Sequence, residues 1–365
     1  MTQLAVFLGT KAQYIKTAPV LRELERRGVP YRLIDSGQHS ALLEDLRVEL
    51  GVRAPAVQFG GGRDVTTVPQ AIGWSALIAK RAIRPKLLRR DVFGPDATIC
   101  VVHGDTPSTL LSTLLARRAG LQVAHLEAGL RSRSILHPFP EELIRVAVMR
   151  ASGLLFAPNE ESVANLEAMG VKGRIVQVPG NTSVDALRAS LGELPEPGSG
   201  PVIVTMHRVE NLHRRSSVEG FLALVLRIAT ERKVRFVVHG PTGDVLRRSG
   251  RMDDLAAAGV EIVSLIPHRE FTMALAAAPL VVTDGGSVQE ECALLGVPTL
   301  LWRHRTERSD GLGENVVLTH YDRVAIESML VDPERWRRQP RWLQGPSPAE
   351  SIVDHLIAAT TQDAD

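Results

Sequence analysis

The chain has 365 residues, 44% of them hydrophobic and 23% charged, with 30 Gly, 22 Pro and two Cys. Its 43 basic and 41 acidic side chains leave a net charge of +2, and only six of the basic ones are Lys, so 37 are Arg. The apolar fraction excludes a disordered chain, the aperiodic Gly a collagen, and the two cysteines a disulfide scaffold. The Arg residues are interleaved with acids and form no block of like charge, which argues against a nucleic-acid partner despite a sequence pI of 8.7. At about 100–200 residues per domain, two domains are expected.

Cys100 and Cys292 lie in apolar segments with no CxxC spacing and read as buried, reduced thiols. The N-terminal run Leu4-Ala5-Val6-Phe7-Leu8 is too short for a signal h-region, and no apolar stretch approaches the length of a membrane span. A cytoplasmic protein without a membrane partner is expected.

Short apolar runs alternate with amphipathic ones, the pattern of parallel βαβ units. Leu4–Leu8 predicts a strand, followed by a helix through Ala18-Pro19-Val20-Leu21; Tyr31–Ile34 and Ala97–Val102 predict further strands. A helix over Thr109–Arg118 and strands at Gln122–Leu126, Leu154–Ala157 and Ile175–Val178 complete a first sheet. The stretch Leu194–Pro201, with three Pro and two Gly, reads as a linker or exposed turn. Beyond it the alternation restarts. Strands are predicted at Val202–Met206, Arg235–Val238, Val260–Leu265, Leu280–Thr283 and Thr299–Trp302. One helix is expected from a capping box at Ser216 and Glu219, one over Glu270–Ala278, and a last one over Pro346–Thr361. Two doubly wound domains facing a cleft follow: 1–186, then 187–345, with residues 346–365 packing back on the first.

Ligands of parallel α/β sheets sit at the carboxyl ends of strands, and polar residues collect there. One strand runs into His103-Gly104-Asp105-Thr106, the next into Glu127-Ala128-Gly129-Leu130-Arg131. A third acid comes from Pro138-Phe139-Pro140-Glu141-Glu142, where Pro140 suits the first helical position and Glu141 shares a helix face with Arg145. In the second half, strands end at His207-Arg208 and His239-Gly240. Taken singly, each is better explained by a helix cap or surface ion pair. Three carboxylates and a His at strand ends together suit acid–base work. His213, His268, His304, His320 and His355 lack such grouping and read as solvated.

Thr283-Asp284-Gly285-Gly286-Ser287 through Glu291 follows a strand and opens a helix, which makes an anion site of backbone N–H groups, with Glu291 suited to ribose hydroxyls. A tight turn is the plainer alternative. Phe59-Gly60-Gly61-Gly62-Arg63 reads as a flexible loop. HExxH, GxSxG, a Walker Lys and metal-spaced Cys/His sets are all missing, so no metal site is expected.

Over roughly residues 4–360 the sequence resembles the UDP-N-acetylglucosamine 2-epimerase family, non-hydrolysing branch. The motifs are His103–Thr106, His125–Arg131, Pro138–Glu142 with Arg145, Gly180-Asn181-Thr182 with Asp185, His207-Arg208 with Glu210-Asn211, Thr283–Glu291, and Thr306-Glu307-Arg308. The resemblance implies a GT-B fold, a homodimer, no cofactor, and interconversion of UDP-GlcNAc and UDP-ManNAc through anti elimination of UDP to 2-acetamidoglucal. It also implies Asp105, Glu127, Glu141 and His207 as catalytic residues. Lys11, Lys16, Arg145, His239, Gly285, Gly286, Ser287, Glu291 and Arg308 would bind substrate.

Several positions depart from the family pattern. Its Gly-Thr-Arg-Pro-Glu-Ala opening is here Gly9-Thr10-Lys11-Ala12-Gln13-Tyr14, and the Ser of its Asp-Ser-Gly-Gly turn is replaced by Gly285. Tyr14 resembles the hydrolysing branch, which releases ManNAc and UDP. Gln38 and His239 match the region where bacterial members bind an activating UDP-GlcNAc, but Ala41 and Val209 do not, which implies weakened activation. A GT-B glycosyltransferase and an inactive sugar-nucleotide binder are the remaining alternatives; the filled carboxylate positions weigh against both.

Overall fold

The computed structural model describes residues 3–38, 43–59, 70, 73, 74, 76, 80, 83–134, 140–342 and 344–362. The chain divides into two units, Met1–Ala186 with Gly345–Asp365, and Leu187–Gln344. Each is an α/β unit built on one parallel sheet.

In the first unit, β1 (Gln3–Leu8), α1 (Lys11–Arg26), β2 (Tyr31–Asp35), α2 (Leu43–Glu49) and β3 (Val57–Gln58) lead through a short π-helical turn, Leu88–Phe93, to β4 (Ala97–His103). Then come α3 (Pro107–Arg118), β5 (Gln122–Leu126), α4 (Glu141–Ala151), β6 (Leu154–Ala157), α5 (Glu160–Ala168), β7 (Arg174–Gln177) and α6 (Ser183–Ser190). The sheet order is β3-β2-β1-β4-β5-β6-β7, so the winding direction reverses between β1 and β4. That is the switch point where doubly wound sheets leave a crevice.

Both faces of this sheet are covered, which explains the continuous apolar strands. On β1, Leu4, Val6 and Leu8 join one core with α1, while Ala5 and Phe7 join another on the opposite face. The C-terminal helix, Pro348–Gln362, adds Ile352, Val353 and Leu356 to the first of these cores. Its start is fixed by Asp185, whose Oδ2 accepts from the Ser347 hydroxyl at 2.9 Å and the Ala349 N–H at 2.8 Å.

The second unit holds β8 (Val202–Thr205), α7 (Arg215–Ala229), β9 (Val234–Val238), α8 (Gly240–Arg248), α9 (Arg251–Ala257) and β10 (Glu261–Ser264). It continues with α10 (His268–Ala277), β11 (Val281–Thr283), α11 (Gly286–Leu295), β12 (Thr299–Leu301), β13 (Val316–Leu318) and α12 (Arg323–Leu330). Its order, β10-β9-β8-β11-β12-β13, puts the switch point between β8 and β11.

The structure corrects several local expectations. Ser216 and Glu219 form no capping box: α7 starts two residues earlier than that box requires, Arg214 is its N-cap without a side-chain bond, and Glu219 pairs with Arg251 at 2.5 Å. Pro140 is the N-cap of α4 rather than its first helical residue. His103 belongs to β4 itself. The short edge strands β3 and β13 gave no run long enough to read. The Gly60–Arg63 loop and Ile135–Phe139 lie outside the described residues.

Candidate active site

At the first switch point the ends of β1 and β4 are tied together by Gln13. Its Oε1 accepts from Gly9 N at 2.8 Å and Thr10 N at 3.1 Å, and its Nε2 donates to the His103 carbonyl at 2.8 Å. Thr10 completes a capping box with Gln13 and starts α1. Gly9 is required here, because a Cβ would stand 2.0 Å from Ser36 Oγ and 2.7 Å from Ser108 Cβ. Lys11 opens α1, half-buried.

One turn along α1, Lys16 reaches across the sheet and places Nζ 2.7 Å from Glu127 Oε1. Glu127 is the first residue past β5 and sits in the left-handed region at φ 64°. Backbone strain of this kind persists only where the surroundings over-determine it, and here Lys16 and the Asn181 amide both donate to the same carboxylate. His103 Nε2 lies 3.6 Å from Glu127 Oε2, while its Nδ1 meets Thr17 Oγ1 at 2.9 Å. β4 and β5 pair in parallel with His103 opposite Leu126, so Asp105 and Glu127 leave adjacent strand ends.

Asp105 is held by a second cation. The Arg145 guanidinium, on α4, bonds Asp105 through Nη2 and Glu142 Oε2 through Nη1 at 2.7 Å. Glu142 is fully buried and also accepts from Arg131 at 2.6 Å and Ser132 N at 3.1 Å. Burial pushes its carboxyl up, but these donors outweigh burial and hold it below its ordinary range. Glu141, the first residue of α4, stands beside it in sequence at the helix N-terminus, where negative charge is favoured. His125 is completely buried, which lowers its pKa to about 4. The ring is therefore neutral, and its Nε2 donates to the Gly104 carbonyl at 2.8 Å, fixing the bend before Asp105.

Tyr14 lies on α1 two residues before Lys16. It is fully buried, and its hydroxyl donates to Asp35 Oδ2 at 2.9 Å. Gln38 uses its Oε1 to accept from Ser108 N in the first turn of α3. Ala41 and the Val209 side chain, its companions in the activator comparison, lie outside the described residues.

At the second switch point the organising group is Asp284, wholly buried at the end of β11. Its Oδ1 accepts from His207 N at 3.0 Å, and its Oδ2 from Arg208 N at 2.9 Å and Asn211 Nδ2 at 3.0 Å. His207 Nδ1 lies 3.4 Å from the same carboxylate, and its ring packs 4.8 Å from that of His239. A Cβ on Gly285 would come within 2.6 Å of His207 Cε1, so only Gly lets the imidazole approach the turn this closely. Gly285 caps α11 without a side chain, which leaves the first N–H groups, from Gly286 and Ser287 on, as anion donors.

Four arginine-rich contacts frame that turn. Arg308 reaches Glu290 at 3.0 Å, Arg208 reaches Glu210 at 2.9 Å and Glu307 at 3.3 Å, and Arg303 reaches Glu307 at 2.7 Å. Arg303 is a buried cation whose pKa is lowered by burial first and by Arg208 second. The sequence offered no sign of it beyond its place just past β12. His268 is the clear correction: its side chain is buried rather than solvated, with Nε2 3.3 Å from Glu291 Oε1. Glu291 Oε2 is buried and has no hydrogen-bond partner.

Fold and polar clusters together define a doubly wound α/β protein with a polar cluster at each of two switch points, where such sheets take ligands. The sequence profile of the family described as UDP-N-acetylglucosamine 2-epimerase matches residues 22–334, and the chain belongs to that family. It is 28% identical over 357 residues to the UDP-N-acetylglucosamine 2-epimerase of Methanocaldococcus jannaschii, covering 92% of this chain and 94% of the relative. Its identity to the Bacillus subtilis enzyme of the same name is 29% over 348 residues, covering 90% and 87%. The crystal structure of the M. jannaschii UDP-GlcNAc 2-epimerase in complex with UDP-GlcNAc and UDP superposes with a TM-score of 0.81 at 28% identity, covering 98% of this chain and all of that one. A fold likeness alone extends to the calicheamicin glycosyltransferase CalG4, with a TM-score of 0.52 at 16% identity.

Proposed function

We propose that the enzyme is the non-hydrolysing kind, interconverting UDP-GlcNAc and UDP-ManNAc. The observation that carries this reading is the carboxylate pair Asp105 and Glu127 on adjacent strand ends, each gripped by a cation, Arg145 and Lys16. The first unit supplies proton transfer. One carboxylate takes the C2 proton, the C1–O bond to UDP breaks, and the electron pair of the C2–H bond becomes the ring double bond of 2-acetamidoglucal. A proton is then delivered to the other face of C2 while the UDP oxygen re-forms the bond to C1. Asp105, Glu127 and Glu141 are the groups assigned to these transfers.

The second unit supplies the departure of UDP. His207 and the N–H groups of Gly286 and Ser287 stabilise the leaving diphosphate, Arg308 adds charge, and Glu291 accepts from ribose hydroxyls. These donors act most on charge that develops as the bond breaks, which is where binding accelerates a reaction. The test is the product. With UDP-GlcNAc in aqueous buffer, the reading expects the anomeric proton signal of UDP-ManNAc; free ManNAc with UDP in equal amount would assign the hydrolysing reaction instead.

A further inference from the structure

Asn211 is a saturated hub behind His207. Its Oδ1 accepts from Ser217 Oγ at 2.9 Å and from the Tyr321 hydroxyl at 2.9 Å, and its Nδ2 donates to Asp284 Oδ2 at 3.0 Å and to the Trp302 carbonyl at 3.2 Å. All four side-chain valences are used and the residue is 1% exposed, so its amide has one orientation. Asp284 in turn carries the backbone of His207 and Arg208.

The far end of this chain is unusual. Tyr321 and His320 are consecutive non-glycine residues in the left-handed region, at φ 61° and 50°, a conformation bulky side chains rarely adopt. The turn is held by His320 N on the Arg303 carbonyl at 3.0 Å, Tyr321 N on Thr319 Oγ1 at 3.3 Å, and the edge of Trp302 against the Tyr321 ring at 5.2 Å. Asp322 N closes the turn on the Thr319 carbonyl at 2.7 Å, so His320 and Tyr321 are the two central residues of a β-turn of the kind that takes positive φ at both. What it achieves is to aim the Tyr321 phenol at Asn211.

We propose that Tyr321 is a positioning residue for His207, acting through Asn211 and Asp284. The proposal rests on the assignment of His207 to the departing UDP. It does not place Tyr321 in contact with substrate. Without the phenol oxygen, Asn211 loses one of two donors on its carbonyl and the Asp284–His207 geometry loosens.

The test is Tyr321→Phe, which removes one oxygen, examined in enzyme labelled with 13C and 15N at histidine. His207 signals are assigned by their loss in His207→Asn. The expected results are a shift and broadening of the His207 ring signals, a fall in kcat of about tenfold with UDP affinity changed less than about twofold, and no further loss when Tyr321→Phe is added to His207→Asn. Unchanged His207 signals, or the same fold-loss in both backgrounds, would overturn it. If the parent enzyme has no epimerase activity, the functional reading fails by itself, and the ring signals still decide whether Tyr321 positions His207.

Discussion

The ammonium of Lys16 stands 2.7 Å from a carboxylate oxygen of Glu127, a residue 111 positions further along the chain. Both side chains are more than nine-tenths buried, so each charge depends on the other being present. Lys16→Met therefore costs about 3 kcal/mol of stability by leaving a buried carboxylate without its cation. Adding Glu127→Gln should restore most of that in a thermal melt, while turnover stays lost in both. Recovery of stability without recovery of activity separates the structural role of the pair from its chemistry.

Arg145 joins two acids through separate nitrogens of its planar fork, a span that a point-charge ammonium does not match. Arg145→Lys retains the charge but can serve Asp105 or Glu142, not both. We expect a fall in kcat of about tenfold or more, and a loss of about 1–2 kcal/mol from the incompletely paired Glu142. Steady-state kinetics with denaturant titration will show whether both losses occur.

Gly285 is the position where the family pattern has Ser. A Cβ there meets the His207 ring at 2.6 Å, so Gly285→Ser must displace the imidazole. Turnover should fall about tenfold with the melting temperature nearly unchanged, since the ring is partly exposed and free to swing away. Full activity in this variant would mean the observed ring position is not the working one.

Asp35 gives a pH signature. Burial raises its pKa from 3.8 to about 6, with the Gly37 N–H and the Tyr14 hydroxyl opposing the shift. An acid with a raised folded-state pKa binds its proton more tightly when folded, so this group costs stability above about pH 6 and stops doing so near pH 4. Asp35→Asn removes a penalty of order 2–3 kcal/mol at neutral pH. The difference in melting temperature between variant and parent should be positive at pH 7.5 and shrink toward zero by pH 4.

Much of the fold was legible because strands buried on both faces are written as unbroken apolar runs. Leu4–Leu8 and Leu154–Ala157 stand out for that reason, and the polar residues after Ala97–Val102 and Gln122–Leu126 mark strand ends of the kind where ligands of such sheets sit. What escaped were features made by contacts distant in sequence. His268 looked isolated because its partner Glu291 is 23 residues away across two helices. The burial of Tyr14 was equally hidden, because it depends on Asp35, on the next strand. The Ser216 and Glu219 spacing suits a cap, but Glu219 is used by Arg251 and the helix starts earlier. Arg303 could not be told from the other 36 arginines until β12 placed it beside Glu307.

The central claim is that carboxylates of the first unit move the C2 proton, and solvent deuterium reads this directly. Incubation with UDP-GlcNAc in D₂O, followed by proton NMR, should show loss of the C2 proton signal in both UDP-sugars for the parent enzyme. Asp105→Asn and Glu127→Gln should retain UDP binding, measured by calorimetry, with deuterium uptake reduced at least about a hundredfold. Normal C2 exchange in both variants, or epimerisation without any deuterium entering at C2, would contradict the account.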